Sequence, residues 1–285
     1  MLVIIGYAIA LGCIIGAYVL HGGNVAVILH ALPSELMVIG GGAAGAFIVN
    51  NQPRTLKAVG QALPGLLKGS VHTKARYMNL LALMYDTLQK TRREGLMAIE
   101  KDIESPENSP LFQKYPELGG DHHLIEFITD YLRMMLSGNL NAHEIETLMD
   151  NEIETHHQEG HAPVAAIARL AGGLPAFGIV AAVLGVVNTM GSVGQPPAIL
   201  GAMIGSALVG TFLGILLAYG VVEPLGGLLA QKLDDNTKQF QCVKAVLLAS
   251  MQGYAPQIAI EFGRKVLYST ERPTFTELEQ HVKKK

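Results

Sequence analysis

Opposite charges stand close together in the stretch KTRREGLMAIEKDIE, residues 90–104. If this stretch is helical, Arg92 and Glu100 lie about 80° apart around the helix axis and about 12 Å apart along it, too far to pair with each other. A charged run of this kind most often forms a solvated face. Alternatively, the two separated charges meet complementary charges on a partner protein and fix its register.

A cluster of histidines has one spacing that suits a metal ion, because His157 and His161 stand at i,i+4. Gly160 and Pro163 are expected to disrupt a rigid helix there, so we predict no metal site. The sequence contains no G-x-S-x-G elbow, P-loop or HExxH motif. We therefore predict neither an enzyme nor a cofactor site.

The elements that carry these residues are predicted to include membrane helices, since 49% of the residues are hydrophobic and only 16% are charged. A spanning helix needs roughly 20 apolar residues to cross about 30 Å of hydrocarbon. Four stretches meet or nearly meet this length: residues 2–20, 36–49 with their flanks, 171–190 and 199–222. The net charge of −3, without a basic stripe, argues against nucleic acid as a partner.

The distribution of Lys and Arg predicts the orientation of these spans. All 21 of them lie in residues 51–170 and 223–285, so the positive-inside rule places both regions and both termini in the cytoplasm. The connections 21–34 and 191–198 are expected on the opposite side of the membrane.

Four segments follow from this pattern. Apolar residues at spacings of three and four, such as Met78, Leu81, Tyr85 and Leu88, predict that the cytoplasmic parts are helical, so the fold class is all-α. The predicted segments are transmembrane helices 1 and 2 with a short loop (1–51), a helical cytoplasmic domain (52–170), transmembrane helices 3 and 4 (171–222) and a helical cytoplasmic tail (223–285).

The spans as drawn contain no Asp, Glu, Lys, Arg or His in their interiors, although such residues usually mark proton relays. The chain is therefore expected either to transport no ions or to rely on a carboxylate from a partner. Small residues are frequent instead, in the close-approach spacings Gly12-xxx-Gly16, Gly201-xxx-Gly205 and Gly210-xxx-Gly214. These spacings serve packing within one chain or between subunits.

Three further residues of the spans have two interpretations each. Pro175 and Pro224 stand at the cytoplasmic ends of the third and fourth spans, where proline starts or ends a helix or forms a hinge. Position alone favours the helix-end interpretation. Thr211, near the middle of the fourth span, either bonds back to its own helix or faces a pore and helps an ion to shed water.

The sequence resembles the flagellar stator subunits of the MotA/TolQ/ExbB superfamily over nearly its whole length. The most specific stretches are LPAFGIVAAVLGVV (174–187), VGTFLGILLAYG (209–220), EIETLMDNEIETH (144–156) and GYAPQIAIEFGRKVLYSTERPTF (253–275). The TolQ and ExbB branches have three spans, so four spans favour the flagellar branch.

The resemblance implies a ring of five such subunits in the lipid of the bacterial inner membrane, around the membrane helices of a MotB dimer. MotB supplies the protonatable aspartate, and ion flow turns the ring against the rotor protein FliG. Arg92 and Glu100 match the family's rotor-facing charges, with Glu152 as a third. Which of Arg92 and its neighbours Arg93 and Glu94 dominates at the rotor stays open.

The resemblance also assigns roles inside the membrane. Pro175 and Pro224 match prolines that couple ion passage to cytoplasmic movement, and Thr211 matches a pore-side threonine near the partner's aspartate. Ala182 stands where sodium-driven relatives have threonine, which favours protons. The predicted function is a proton-driven flagellar stator subunit, with an ExbB- or TolQ-like energising subunit as the alternative. A self-sufficient channel is disfavoured by the missing intramembrane charge.

Overall fold

The computed structural model describes residues 2–67, 69–138 and 141–284, and every regular element in them is a helix, which confirms the all-α prediction. Between the α-helices lie two 3-10 turns, Leu96–Ile99 and Pro106–Asn108, and one π-helical segment, π1, Leu216–Val222. The described α-helices are α1 (Leu2–Leu20), α2 (Val25–Val49), α3 (Pro53–Leu66), α4 (Lys74–Glu94), α5 (Glu100–Glu104), α6 (Pro110–Gln113), α7 (Pro116–Gly119), α8 (His122–Ser137), α9 (Ala142–Met190), α10 (Pro197–Ile215), α11 (Glu223–Met251), α12 (Pro256–Val266) and α13 (Phe275–Lys284).

Four helical stretches in the described residues are long and apolar enough to cross a membrane, in agreement with the sequence. They are α1, α2, α9 and the continuous run from Pro197 to Met251. Many of their large apolar side chains are exposed in the single chain, and α1 has no buried residue at all. Such a surface is stable against lipid and unfavourable in water.

The second span is longer than the sequence predicts. α2 begins at Val25 because Asn24 caps it, its side-chain oxygen accepting a hydrogen bond from the Ala26 amide at 3.0 Å. The expectation of a connection over residues 21–34 is therefore wrong. Glu35 lies inside α2, and the prediction that the spans contain no ionisable residue is also wrong.

The chain divides into two compact units. The first, here called the membrane unit, consists of residues 1–69 and 160–231. Its core lies between α2, α9, α10 and π1, where Ile39, Leu174 and Leu213 are buried. α1 adds a polar contact, in which the Tyr7 hydroxyl donates to the Val221 carbonyl at 2.9 Å.

Within the membrane unit, α9 and α10 approach each other backbone to backbone at the three residues Gly178, Gly210 and Gly214, here called the glycine crossing. A Cβ atom built on Gly178 would lie 2.8 Å from the Gly210 carbonyl oxygen, and one built on Gly214 would lie 2.8 Å from the Leu174 carbonyl oxygen. Real Cβ atoms essentially never come so close to backbone atoms. The Gly210-xxx-Gly214 spacing therefore serves packing within one chain.

The other two close-approach spacings have no such role inside the chain. Cβ atoms built on Gly12, Gly16 and Gly201 would meet nothing within 4 Å, and one on Gly205 would meet only Val27, at 3.8 Å. These glycines leave open helix surfaces in a single copy.

The second unit, here called the polar unit, consists of residues 70–159 and 232–285. It has a larger apolar core than the membrane unit, around α4, α8, α11 and α12. Phe127 packs against Tyr131 at a centroid distance of 4.8 Å and edge-on against Phe240 at 5.2 Å. Such ring pairs add specific geometry to the burial of apolar area.

α9 is a single helix where the sequence predicts a cytoplasmic helix and a separate span. Asn141 and Glu144 form a capping box at its start, since the Asn141 side chain accepts from the Glu144 amide and the Asn141 amide donates to the Glu144 carboxylate. The expected disruption at Gly160 and Pro163 is wrong, because the helix continues through both residues. A proline removes one backbone bond, which a helix of 49 residues can tolerate.

The glycine crossing generates a stability prediction. Gly214→Ala forces α9 and α10 apart and should lower the stability of the protein by about 1–3 kcal/mol, the usual cost of overpacking. The measurement is thermal unfolding of the purified protein in detergent. Gly201→Ala, in the same helix but with an unobstructed Cβ position, is the matched control. Equal losses in both variants would show that the crossing is not the cause.

Candidate functional site

The membrane unit places Ala182 of α9 close to Gly210 of α10, the residue before Thr211. A Cβ atom built on Gly210, the residue before Thr211, would lie 3.1 Å from the Ala182 amide nitrogen and 3.0 Å from the Ala181 Cβ. Ala182 and Thr211 are both half-buried in the single chain. The two residues that the resemblance assigned to an ion path therefore lie on neighbouring, closely packed helices.

Thr211 does not use its hydroxyl to satisfy its own helix. Among the described residues its hydroxyl has no hydrogen-bond partner. Thr189 of α9, by contrast, donates to the Gly185 carbonyl at 2.9 Å, as threonines in helices usually do. The Thr211 hydroxyl is thus available to a group from outside the chain.

Glu35 is a polar group at the same contact that the sequence did not predict. Its carboxyl is buried, and its Oε2 atom has no hydrogen-bond partner in the described part of the chain. A Cβ atom on Gly210 would contact this oxygen. Asn24 is a good N-cap followed by apolar residues from Val25 to Leu29, and this signal could have extended the span far enough to include Glu35.

Pro175 lies in the interior of α9, so the prediction that it starts a helix is wrong. It is half-buried and follows Leu174, whose carbonyl faces Gly214 at the glycine crossing. Since proline has no amide hydrogen, the helical hydrogen-bond ladder is interrupted next to the closest approach of two spans.

Pro224 does not end a helix, so that interpretation is wrong as well. The chain passes from α10 through π1 into α11, and Pro224 is the second residue of α11. The Glu223 amide donates to the Ala218 carbonyl, a bond across five residues that has the π-helical register. The ladder is wider just where proline removes a donor, and π-helical turns often occur at functional positions.

Two of the predicted rotor-facing charges lie in the polar unit at a break in the chain. α4 ends at Gly95, which has φ +89°, so Arg92 is in the last turn of α4 while Glu100 begins α5. The helical geometry that the sequence suggests for this pair is therefore wrong. Both residues are exposed, and in the described part of the chain neither has a hydrogen-bond or ion-pair partner.

Neighbouring charged residues, unlike Arg92 and Glu100, form hydrogen bonds within the polar unit. The buried carboxylate of Asp102 accepts hydrogen bonds from the Lys90 ammonium at 2.7 Å and the Ser109 hydroxyl at 2.6 Å. Arg92 also lines a groove of about 460 Å³ with apolar residues that include Leu96 and Tyr254. The unpaired charges are thus accessible to a partner.

Glu152 is positioned by a buried residue. The Tyr131 hydroxyl donates to the Glu152 carboxylate at 2.7 Å, and Glu152 is exposed. Burial, followed by the hydrogen bond to Glu152, raises the pKa of Tyr131, so the tyrosine stays a donor at neutral pH. Glu152 is therefore held in place, unlike Arg92 and Glu100.

In the described residues no group of three or more His, Cys, Asp or Glu could hold a metal ion. His157, which the sequence singled out, lies 3.1 Å from the Thr237 hydroxyl, and the neighbouring His156 lies 3.2 Å from the Asn236 amide nitrogen.

Comparison with known proteins decides the family. The profile "Motility protein A N-terminal" matches residues 4–95, and the profile "MotA/TolQ/ExbB proton channel family" matches residues 121–242. Motility protein A of Salmonella typhimurium is 50% identical over 283 residues, which cover 99% of this chain and 95% of that protein. The chain belongs to the motility protein A family. Motility protein A of Escherichia coli is 50% identical over the same shares.

A solved structure supports the same fold. The structure of C. jejuni MotAB matches with a TM-score of 0.76 at 22% identity, over 94% of this chain and 95% of that chain. As a member of this family, the chain is a flagellar stator subunit and a multi-pass protein of the inner membrane, as the sequence predicts. The ExbB- or TolQ-like alternative is not favoured. The family is one of proton channels and not a known enzyme family.

The candidate residues of this chain lie in both compact units. Ala182, Thr211 and Pro175 lie with Glu35 around the glycine crossing in the membrane unit. Pro224 lies elsewhere in the same unit, in a groove that includes Tyr7 and Tyr219. The exposed charges Arg92, Glu100 and Glu152 all belong to the polar unit.

Proposed function

We propose that this chain conducts protons together with a MotB-type partner and converts their flow into torque on the flagellar rotor. The observation that carries the proposal is the close packing of α9 and α10 at the glycine crossing, beside which the Thr211 hydroxyl has no partner in the described residues. The whole-chain identity to motility protein A supports it. A proton passing across 100 mV releases about 2.3 kcal/mol, so rotation requires many small steps.

MotB is proposed as the partner that supplies a protonatable aspartate beside Thr211 and Ala182. The name of the matching solved structure, MotAB, supports such a partner. An alanine at position 182, rather than a hydroxyl side chain that could bind sodium, favours protons as the coupling ion. The open surfaces at Gly12, Gly16 and Gly201 suit close contacts with further helices.

Five copies of the chain are proposed to form a ring around the MotB helices, surrounded by membrane lipid. The Lys and Arg distribution supports both termini and the polar unit in the cytoplasm. In this arrangement the exposed charges of the polar unit face the rotor protein FliG.

Arg92 and Glu100 are proposed to contact FliG, with Glu152 as a third contact. Arg92 and Glu100 are exposed and have no hydrogen-bond or ion-pair partner in the described residues, which supports their contact with FliG. Exposed charges contribute more to orientation and association rate than to affinity, which suits a contact that forms and breaks at each step.

Pro175 and Pro224 are proposed to couple ion passage to movement of the polar unit. Each interrupts the hydrogen-bond ladder inside a continuous helix, which lowers the cost of bending there.

The decisive test of the function is deletion of the gene. We expect cells that still assemble flagella but cannot swim, because the filament is present and the source of torque is missing. Electron microscopy scores the flagella, and tracking of cells scores swimming. Expression of the wild-type chain from a plasmid is the control. Normal swimming of the deletion strain would refute the proposed function.

The rotor contact generates a charge-reversal prediction. Arg92→Glu should weaken torque strongly while membrane levels stay normal, and reversal of a complementary charge on FliG should restore part of it. Torque is measured on tethered cells. The control is Lys265→Glu. Lys265 also belongs to the polar unit, and its exposed ammonium group has no partner in the described residues. Unchanged torque in Arg92→Glu would exclude this contact, and Arg93→Glu tests which neighbouring charge dominates.

The coupling role generates a proline prediction. Pro175→Leu restores a backbone donor next to the glycine crossing and should block motility, because α9 becomes stiffer there. Immunoblots of membrane fractions establish that the protein is present. Pro163→Leu, inside the same helix but away from the crossing, should leave motility near normal. A Pro175→Leu protein that is missing from the membrane would instead assign Pro175 a structural role.

A further inference from the structure

Glu35 occupies a position where an apolar side chain would be expected. The buried face of α2 consists of Ala31, Glu35, Ile39 and Ala43, which recur every four residues. Glu35 is only 7% exposed, and its Oε2 atom is buried without a hydrogen-bond partner among the described residues. Burying an unpaired polar group costs stability, and polar groups inside membrane spans usually serve a function.

The surroundings of Glu35 hold no charge that could stabilise a carboxylate. The facing segments, residues 171–190 of α9 and 197–215 of α10, contain no titratable or charged residue. On α2 itself, His30 is exposed. Tyr7 of α1 uses its hydroxyl on the Val221 carbonyl. A carboxylate without a counter-ion in such a medium is far less stable than the neutral acid, so the described conformation suits a protonated Glu35.

The carboxyl group also lies next to the residues of the proposed ion path. It fills the space in front of Gly210, and a Cβ atom built on Gly210 would touch both the Glu35 Oε2 atom and the Ala182 amide nitrogen. Thr211, whose hydroxyl is available, is the next residue of α10. Glycine at position 210 thus makes room for the acid at this place.

We propose that Glu35 is a proton-binding site of the chain itself, additional to the carboxylate that the partner brings. The inference rests on the proposed function. The site holds one proton on the Glu35 carboxyl while the membrane unit is closed around it. When water or the partner's carboxylate comes close to Thr211, it accepts the proton from Glu35. A second proton, which enters from the opposite side of the membrane, then binds to the Glu35 carboxylate.

The test compares the full chain with variants, each expressed together with its MotB in a strain that lacks the gene. Glu35→Gln keeps the shape and hydrogen-bonding capacity of the neutral acid but cannot release a proton. We expect it to reach the membrane in normal amounts and to lower torque by about tenfold or more, a modest value for a lost proton-transfer group. Glu35→Asp should keep part of the torque. His30→Gln, an exposed ionisable residue of the same helix, should behave as wild type.

A second readout is independent of activity. The infrared spectrum of the purified complex should contain a carbonyl band of a protonated carboxyl group that is absent in Glu35→Gln and shifted in Glu35→Asp. If the Glu35→Gln protein does not accumulate, the position of the carbonyl band in Glu35→Asp is compared with that in the wild type instead. No shift would overturn the proposal.

Wild-type torque in Glu35→Gln would also overturn the proposal and would leave Glu35 with a packing role. That result is distinguishable from failure of the proposed function. If the deletion strain itself swims, the stator function fails. If the deletion strain is immotile and Glu35→Gln restores swimming fully, only the proton-binding role of Glu35 fails.

Discussion

The close approach of α9 and α10 at the glycine crossing is the contact on which the membrane unit depends. A Cβ atom on Gly178 or Gly214 would lie under 3.0 Å from a backbone atom of the facing helix, so no other residue type fits at these two positions without moving a backbone. In lipid there is little hydrophobic driving force between helices, so dense backbone packing of this kind contributes much of their association. The same contact brings Ala182, Thr211 and Glu35 to one place.

A second constraint comes from the low polarity of the membrane. Every backbone group there needs a partner, yet Pro175 and Pro224 each remove a donor from a continuous helix. Near Pro224 the chain adopts the wider π-helical register, and Tyr7 of α1 donates to the carbonyl of Val221 within it. The irregular backbone is thus partly satisfied by another span, as the low polarity of the membrane requires.

In the polar unit, some charged residues form hydrogen bonds that stabilise the fold, and others are exposed and unpaired among the described residues. Asp102 is buried and bound by Lys90 and Ser109, whereas Arg92 and Glu100 remain exposed on either side of the turn at Gly95. Ion pairs on a surface add little stability, so unpaired charges at a turn cost the fold almost nothing. They are therefore free to serve recognition.

The sequence by itself determined the all-helical class, the number of apolar spans and the family, because hydrophobic periodicity and short motifs are local properties of the chain. Helix ends were predicted less well. Propensity alone does not show that a helix begins at Val25, or that helices continue through Gly160, Pro163, Pro175 and Pro224, because tertiary packing overrides it. Only the tertiary structure showed that Glu35 is buried and faces Gly210. The N-cap at Asn24 could have placed Glu35 within the span, but burial of its side chain depends on residues far away in sequence, which no local signal reveals.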